Sequence, residues 1–142
     1  MKILECYPFK LTEPPVELIE GFSAYDGNLK DKPGDLHMGI DYVRRKDDKF
    51  VSFEVYSCHD GEAHQGLSKT WGKFVTIKKI INKNLRYYTI YAHLSKINLN
   101  IPLLPKDKDR ERPKGLKVKS GFLLGRAGIT GRTNRLIQLH FE

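Results

Sequence analysis

Hydrophobic and polar residues alternate along several short stretches of the chain, a pattern typical of half-buried β-strands. The clearest stretch is 49–58, in which Val51, Phe53 and Val55 share one face. Similar stretches span 74–81, 85–93, 116–118, 122–125 and 136–142. Turn-forming residues separate them, and no long helical pattern intervenes. Short strands in this arrangement predict an all-β, mostly antiparallel domain.

The first 34 residues differ from the rest because proline and glycine interrupt them repeatedly. Within them only Val16–Glu20 is predicted to form a regular element, a short helix. We therefore expect residues 1–34 to be a loop-rich lead-in packed on a single domain that spans 35–142, since 142 residues suffice for one domain with a core. Inside that domain, 63–69 is polar without a clear period, and no element is predicted there.

The amino-acid composition says more about possible binding partners than about the fold. Apolar residues make up 39% of the chain and charged residues 30%, as in ordinary folded soluble proteins. The net charge of +8 favours anionic partners, and nucleic acid, an anionic lipid surface and bacterial wall polymer all qualify. No apolar run approaches the ~20 residues that span a bilayer.

The cellular compartment stays open at this point. Glu5 interrupts the amino terminus before the apolar core of a signal peptide can form. Cys6 and Cys58 fit one disulfide as well as two free thiols.

Candidate chemistry begins with His37 and Asp41, four residues apart with Gly39 between them. A helix would place both side chains on one face, but Gly39 next to Ile40 is poor helix material. In a straight strand their Cα atoms would lie roughly 13 Å apart, too far for two ligands of one ion. A shared ion therefore requires the backbone to curl, which glycine permits. The alternative is a surface histidine near an aspartate in a turn.

A third candidate ligand lies in the predicted strand 136–142. Its alternation puts Gln138 and His140 on one face. Together with His37 and Asp41, His140 would complete a His-Asp-His set. Three protein ligands with a fourth position left for water are the composition of a catalytic zinc site.

Seven segments of the chain also form an ordered set of motifs. They are His-Met-Gly-Ile-Asp-Tyr at 37–42, Val-Tyr-Ser-Cys-His-Asp-Gly at 55–61, Trp-Gly-Lys-Phe-Val-Thr-Ile at 71–77, Tyr-Ala-His-Leu-Ser at 91–95, Val-Lys-Ser-Gly at 118–121, Gly-Ile-Thr-Gly at 128–131 and Leu-His-Phe-Glu at 139–142. In this order they resemble the lysostaphin-type (LytM-type) zinc metallopeptidases over roughly residues 35–142.

The resemblance implies a compact antiparallel β fold with one zinc ion per chain in a groove. It assigns His37, Asp41 and His140 as the metal ligands. It also implies an endopeptidase that cuts the peptide cross-links of bacterial peptidoglycan, in the periplasm, in the cell wall or outside the cell. We expect a monomer with no nucleic-acid partner and no membrane span.

The catalytic positions are only partly matched. The resemblance assigns His93 as one catalytic histidine, but the second is replaced by Gln138. A glutamine amide can donate a hydrogen bond to an oxyanion and cannot take a proton from water. Because acid–base help is typically worth 10²–10⁴-fold, we expect a slower enzyme. Relatives usually continue into further β structure beyond the position of Glu142, which suggests a truncated product.

Two other functions compete with hydrolysis. The loss of the second catalytic histidine favours a non-catalytic, zinc-binding module that binds cell wall or regulates a wall hydrolase. The basic charge, with Tyr87, Tyr88 and Tyr91 on one strand, would suit stacking on single-stranded nucleic acid, the least favoured reading. Neither His59 nor His64 fits a role in the family, and both are predicted to be exposed loop histidines.

Overall fold

The computed structural model describes residues 7–11, 14–20, 39–104, 113–133 and 135–142. This part of the chain consists of strands and connections and contains no helix. The ten strands are β1 (Val16–Glu20), β2 (Ile40–Lys46), β3 (Lys49–Phe50), β4 (Glu54–Tyr56), β5 (Gly61–Ser68), β6 (Gly72–Ile80), β7 (Arg86–Ile97), β8 (Leu116–Val118), β9 (Leu123–Ala127) and β10 (Leu139–Phe141). The prediction of an all-β domain is confirmed.

The strands form one sheet in the order β1-β2-β10-β7-β6-β5-β8, and β9 joins β7 to β4. Every pair of named strands is antiparallel, as expected. The short strand β10 lies between β2 and β7, where His140 is in register with Asp41 on one side and with Ala92 on the other. This register brings residues from three distant parts of the sequence side by side.

The hydrophobic core collects apolar side chains from most of the strands. Members with no more than 1% of their surface exposed include Phe53, Val55, Tyr91, Leu94 and Leu139. Each fully buried side chain of this size is worth about 1.5–3 kcal/mol relative to the exposed state. The side chains of strand β10 alternate between two faces. Leu139 and Phe141 join the core, and His140 between them faces away from it, toward Asp41.

Two of the predicted elements differ in the structure. Val16–Glu20 is strand β1, not a helix, because it pairs with β2 from Val16 opposite Arg44 onward. Pairing to an existing strand overrides a weak local preference for helix. The stretch 49–58 is not one strand, since β3 ends at Phe50 and β4 begins at Glu54.

Strand β5 was not predicted, although it is eight residues long and pairs with β6 on one side and β8 on the other. Its polar side chains hide the usual alternation. Gln65 donates a hydrogen bond to the carbonyl of Ile101, and Nε2 of His64 lies 2.8 Å from the carbonyl oxygen of Pro113. Buried polar residues with partners are stable inside a domain, but from the sequence they look like a loop.

The prediction that His59 and His64 are exposed is wrong. His59 is fully buried and only 7% of His64 is exposed. Nε2 of His59 lies 3.0 Å from the hydroxyl of Thr89, and its Nδ1 lies 2.8 Å from the carbonyl oxygen of Asp60. Because that carbonyl can only accept, Nδ1 carries the proton.

Tyr91 is also fully buried, with its hydroxyl accepting a hydrogen bond from the backbone N–H of Cys58, while Tyr88 is about half exposed. The three tyrosines therefore do not form one exposed surface for stacking on bases. Cys58 lies in the core, and Cys6 lies outside the described residues. Nowhere in the described ranges does a helix offer the length and apolar character needed to cross a membrane.

Candidate metal centre

The centre of the candidate site is a contact between β10 and β2. Nδ1 of His140 lies 2.8 Å from Oδ1 of Asp41, and both side chains are more than nine-tenths buried. The two residues are opposite each other in the strand register, so the sheet itself sets their separation. Gly39 makes room for this arrangement, because a Cβ there would lie 2.7 Å from the His140 ring.

A second carboxylate approaches the same imidazole. Nε2 of His140 lies 3.2 Å from Oε1 of Glu142. Burial disfavours the charged imidazole, but the hydrogen bonds and negative charges of Asp41 and Glu142 outweigh it, so the pKa of His140 is raised. The site thus stabilises positive charge at this point.

His93 enters the site through an irregularity in β7. The pairing of β7 with β6 shifts by one residue between Lys73 and Val75, and His93 has a φ of 61°. A non-glycine residue at positive φ is costly, of order 1–3 kcal/mol, and such bulges turn a side chain away from the regular alternation. The His93 ring centroid lies 5.8 Å from that of His140.

The protonation of His93 follows from its partner. Its Nδ1 lies 2.8 Å from the carbonyl oxygen of Thr130, which can only accept a hydrogen bond. Nδ1 is therefore the donor, and in the neutral ring Nε2 is the nitrogen able to accept a proton. The hydrogen-bonding pattern is that of an oriented general base.

The loop that supplies this carbonyl is fixed on both sides. The Thr130 hydroxyl donates to the carbonyl of Leu94 at 2.8 Å and accepts from the backbone N–H of Lys73 at 2.9 Å. Gly72 and Gly131 both have positive φ and cross closely, so that a Cβ on Gly72 would lie 2.2 Å from the carbonyl carbon of Thr130. Only glycine fits this crossing without displacement.

Gln138 lies at the beginning of the same segment as His140. Its backbone N–H donates to the carbonyl of Gly128 at 3.0 Å, and only 7% of the residue is exposed. Since Leu139 between them points into the core, Gln138 and His140 share the face predicted from the alternation.

Four of the five predicted site residues thus lie in described parts of the chain. Asp41 and His140 are in contact, His93 lies beside them, and Gln138 shares their face. The fifth, His37, lies outside the described residues. Across the described ranges no group of three His, Cys, Asp or Glu side chains could hold a metal ion.

The donor chemistry of the pair nevertheless fits zinc. Asp41 offers a carboxylate oxygen and His140 an imidazole nitrogen, two of the donor types that zinc takes in proteins. Sequence reasoning missed the partners of the site residues. Thr130 entered only as part of a glycine-rich motif, because a hydrogen bond over 37 residues leaves no local pattern. Glu142 entered only as the last residue of the motif Leu-His-Phe-Glu, although it lies just two residues after His140.

Comparison with known proteins agrees with this geometry at the level of the fold. No protein-family model and no curated protein sequence matches the chain. Among solved structures, a zinc-containing peptidase from Vibrio cholerae superposes with a TM-score of 0.66 and 26% identity, over 98% of this chain and 36% of that one. The chain therefore spans about a third of the length of that peptidase.

Two further structures are similar over most of their own length. The catalytic domain of lysostaphin, an antimicrobial peptidase from Staphylococcus simulans, superposes with a TM-score of 0.62 and 23% identity, over 88% of this chain and 77% of that one. A chain of the complex of SpoIIIAH and SpoIIQ gives a TM-score of 0.65 and 21% identity, over 96% and 89%. This chain has the lysostaphin-type fold. Within that fold, β2, β7 and β10 are the strands that carry the candidate site.

Proposed function

We propose that the protein is a zinc metalloendopeptidase that hydrolyses peptide bonds in the cross-links of bacterial peptidoglycan. The observation that carries the proposal is the buried contact between Asp41 and His140 with His93 beside it, on a lysostaphin-type fold. In this proposal residues 35–142 are the peptidase domain, and His37 joins Asp41 and His140 as a ligand of one zinc ion.

Zinc bound by such a set would polarise the scissile carbonyl and lower the pKa of a bound water toward ~7. The chain's own residues supply the rest. Nε2 of His93 accepts a proton from the attacking water, because the Thr130 carbonyl keeps the other nitrogen protonated. Glu142 holds the ring of His140 from the side opposite Asp41.

Gln138 takes the place of a second base and limits the rate. Its side-chain amide donates a hydrogen bond to the oxygen on which charge develops, which orients the substrate and stabilises that charge. It cannot shuttle a proton, so His93 alone performs the acid–base steps. We therefore expect hydrolysis that is slower than in an enzyme with two histidines.

Metal content and turnover test the proposal separately. Purified protein should bind one zinc per chain, and His37→Ala or Asp41→Asn should abolish this stoichiometry. His93→Ala should keep the zinc and lose about 10²–10⁴-fold in the rate of cleavage of cross-bridge peptides. A zinc-loaded parent protein that cleaves neither these peptides nor purified cell walls would overturn the assignment.

A second candidate function is favoured by Gln138. With one of two acid–base groups replaced, the domain would serve as a non-catalytic module that binds cell wall or regulates a wall hydrolase. The similarity to a chain crystallised in the complex of SpoIIIAH and SpoIIQ supports a binding role for this fold. Wall binding by the parent without hydrolysis, and hydrolysis created by Gln138→His, would decide for this function.

A further inference from the structure

A basic depression lies at the end of β2 away from the candidate metal centre. Its volume is about 230 Å³, and it is polar and open to solvent. It is lined by Lys10, Arg44, Phe53, Glu54, Tyr56 and Arg126. Arg44 and Asp41 are three residues apart on β2, so they point to opposite faces of the strand and the depression is separate from the candidate metal centre.

Three cationic side chains converge on this depression from separate parts of the chain. Lys10 comes from the segment 7–11, Arg44 from β2 and Arg126 from β9. Among the described residues of the lining, Glu54 is the single acidic one, and its carboxylate accepts a hydrogen bond from the hydroxyl of Tyr56. The described lining residues therefore carry an excess of two positive charges, whose mutual repulsion an anion would relieve.

Each of the three cations makes contacts within the protein. The Lys10 ammonium lies 5.0 Å from the centroid of the Tyr56 ring, and the Arg44 guanidinium lies 5.4 Å from that of Phe53. Nη2 of Arg44 donates to the carbonyl of Lys10, and Nη2 of Arg126 donates to the carbonyl of Ser52, both at 3.4 Å. Side chains that are already ordered lose less conformational entropy when a ligand binds.

We propose that the basic depression is a binding site for phosphate groups. Guanidinium groups match phosphate oxygens with paired N–H donors, and an excess of two positive charges suits an anion carrying one to two negative charges. The same chemistry is offered by free inorganic phosphate and by a polymer of repeating phosphodiesters. Because the site lies away from the candidate metal centre, it requires no peptidase activity and can be tested without it.

The test compares two probes at constant ionic strength, with chloride replaced by inorganic phosphate or by poly(glycerol phosphate). Binding is followed by isothermal titration calorimetry and by NMR shifts of the β2 and β9 amides. Arg126→Gln should weaken binding at least tenfold. The matched control is Arg86→Gln, which removes the same charge from an exposed position at the start of β7 and should leave binding unchanged.

A third variant tests whether the negative charge of Glu54 weakens the binding of anions. Glu54→Gln keeps an acceptor for the Tyr56 hydroxyl but removes a negative charge from the lining, so it should tighten binding several-fold. A merely structural role of the cluster predicts no gain. Should Arg126→Gln fail to fold, Arg44→Gln carries the same expectation.

The outcomes separate the two sources of phosphate. Binding of both probes supports a site for the phosphate group itself, and binding of the polymer alone supports a site for a polyanionic chain. Equal losses of binding affinity in Arg126→Gln and Arg86→Gln would show that binding depends only on general surface charge. That result would overturn the proposal. Failure of both probes to bind the folded parent protein would overturn it as well.

Discussion

Thr130 and His93, 37 residues apart, are joined by a hydrogen bond of 2.8 Å from the imidazole Nδ1 to the backbone carbonyl oxygen. Because the acceptor belongs to the backbone, its position depends on the path of the loop and not on the identity of the side chain. That path is set where Gly72 and Gly131 cross. The orientation of the proposed base therefore depends on the backbone at two glycines, neither of which contributes a side chain to the site.

Gly72→Ala should impair turnover while leaving the metal in place. A Cβ at Gly72 would lie 2.2 Å from the carbonyl carbon of Thr130, so the loop must shift and the hydrogen bond to His93 must weaken. We expect the cleavage rate to fall by at least about tenfold. The loss should not exceed the roughly 10²–10⁴-fold that a general base typically contributes. Cleavage of cross-bridge peptides and zinc content measured on the same sample check this.

Gly121→Ala is the matched control for that variant. Gly121 also has a positive φ, 82°, but a Cβ there would have no atom within 4 Å. Both substitutions introduce backbone strain of about 1–2 kcal/mol, and only the first displaces the loop. Equal losses of rate in the two variants would attribute the effect to strain and not to the orientation of His93.

Gln138→His should raise the rate of hydrolysis. The residue is buried on the same face as His140, so an imidazole there adds a second group able to exchange protons near the site. We expect an increase of about 10²-fold, with an additional ionisation in the pH dependence of the rate. Gln138→Asn keeps an amide and should show no gain; a gain of similar size there would exclude proton transfer as its origin.

Removal of zinc should lower the thermal stability of the parent protein. A ligand bound only by the folded state adds about 2.7 kcal/mol at a free concentration one hundred times Kd, or roughly 10 °C in Tm for a domain of this size. Thermal unfolding with zinc and with a chelator measures the shift. His37→Ala should unfold at the same temperature in both conditions, and a shift retained in that variant would remove His37 from the ligand set.

Asp60 should contribute stability that depends on pH. Its carboxylate accepts hydrogen bonds from Nζ of Lys119 at 2.8 Å and from the backbone N–H of Ser120 at 2.9 Å, and these contacts lower its pKa. A lowered pKa in the folded state means that the contribution is complete above the ordinary value of about 3.9 and is lost as the pH falls through the folded value.

The corresponding experiment compares Asp60→Asn with the parent between pH 7 and pH 2.5. We expect a lower Tm for the variant at pH 7 and a difference that shrinks steadily below about pH 4. A difference in Tm that stayed constant over this range would show that neutral hydrogen bonds, not the charge of Asp60, are responsible.

Those parts of the fold that follow a regular alternation were predictable from the sequence. Strand β10 is an example. Leu139 and Phe141 alternate with Gln138 and His140 in the sequence, and this alternation predicted that the first pair lies in the core and the second on the opposite face. Strand β8 was predicted at its observed bounds, Leu116–Val118. In both cases local sequence and final environment agree.

What escaped prediction depends on partners far away in the chain. Val16–Glu20 is a strand because β2 offers an edge, and β5 is a strand although its polar residues break the alternation. His59 is buried because Thr89, 30 residues away, hydrogen-bonds to it. Likewise the positive φ of His93 arises from a shift in register that no local motif encodes.

The central position of β10 in the sheet has a consequence for how the chain folds during its synthesis. Asp41 and His140 are 99 residues apart, and β2 and β7 become neighbours across the sheet only when β10 lies between them. A growing polypeptide on the ribosome therefore exposes an open sheet edge until residue 141 has emerged. Intermediates that lack β10 would leave the edges of β2 and β7 unpaired and would be prone to aggregation, so the contact between Asp41 and His140 forms only once this strand has inserted.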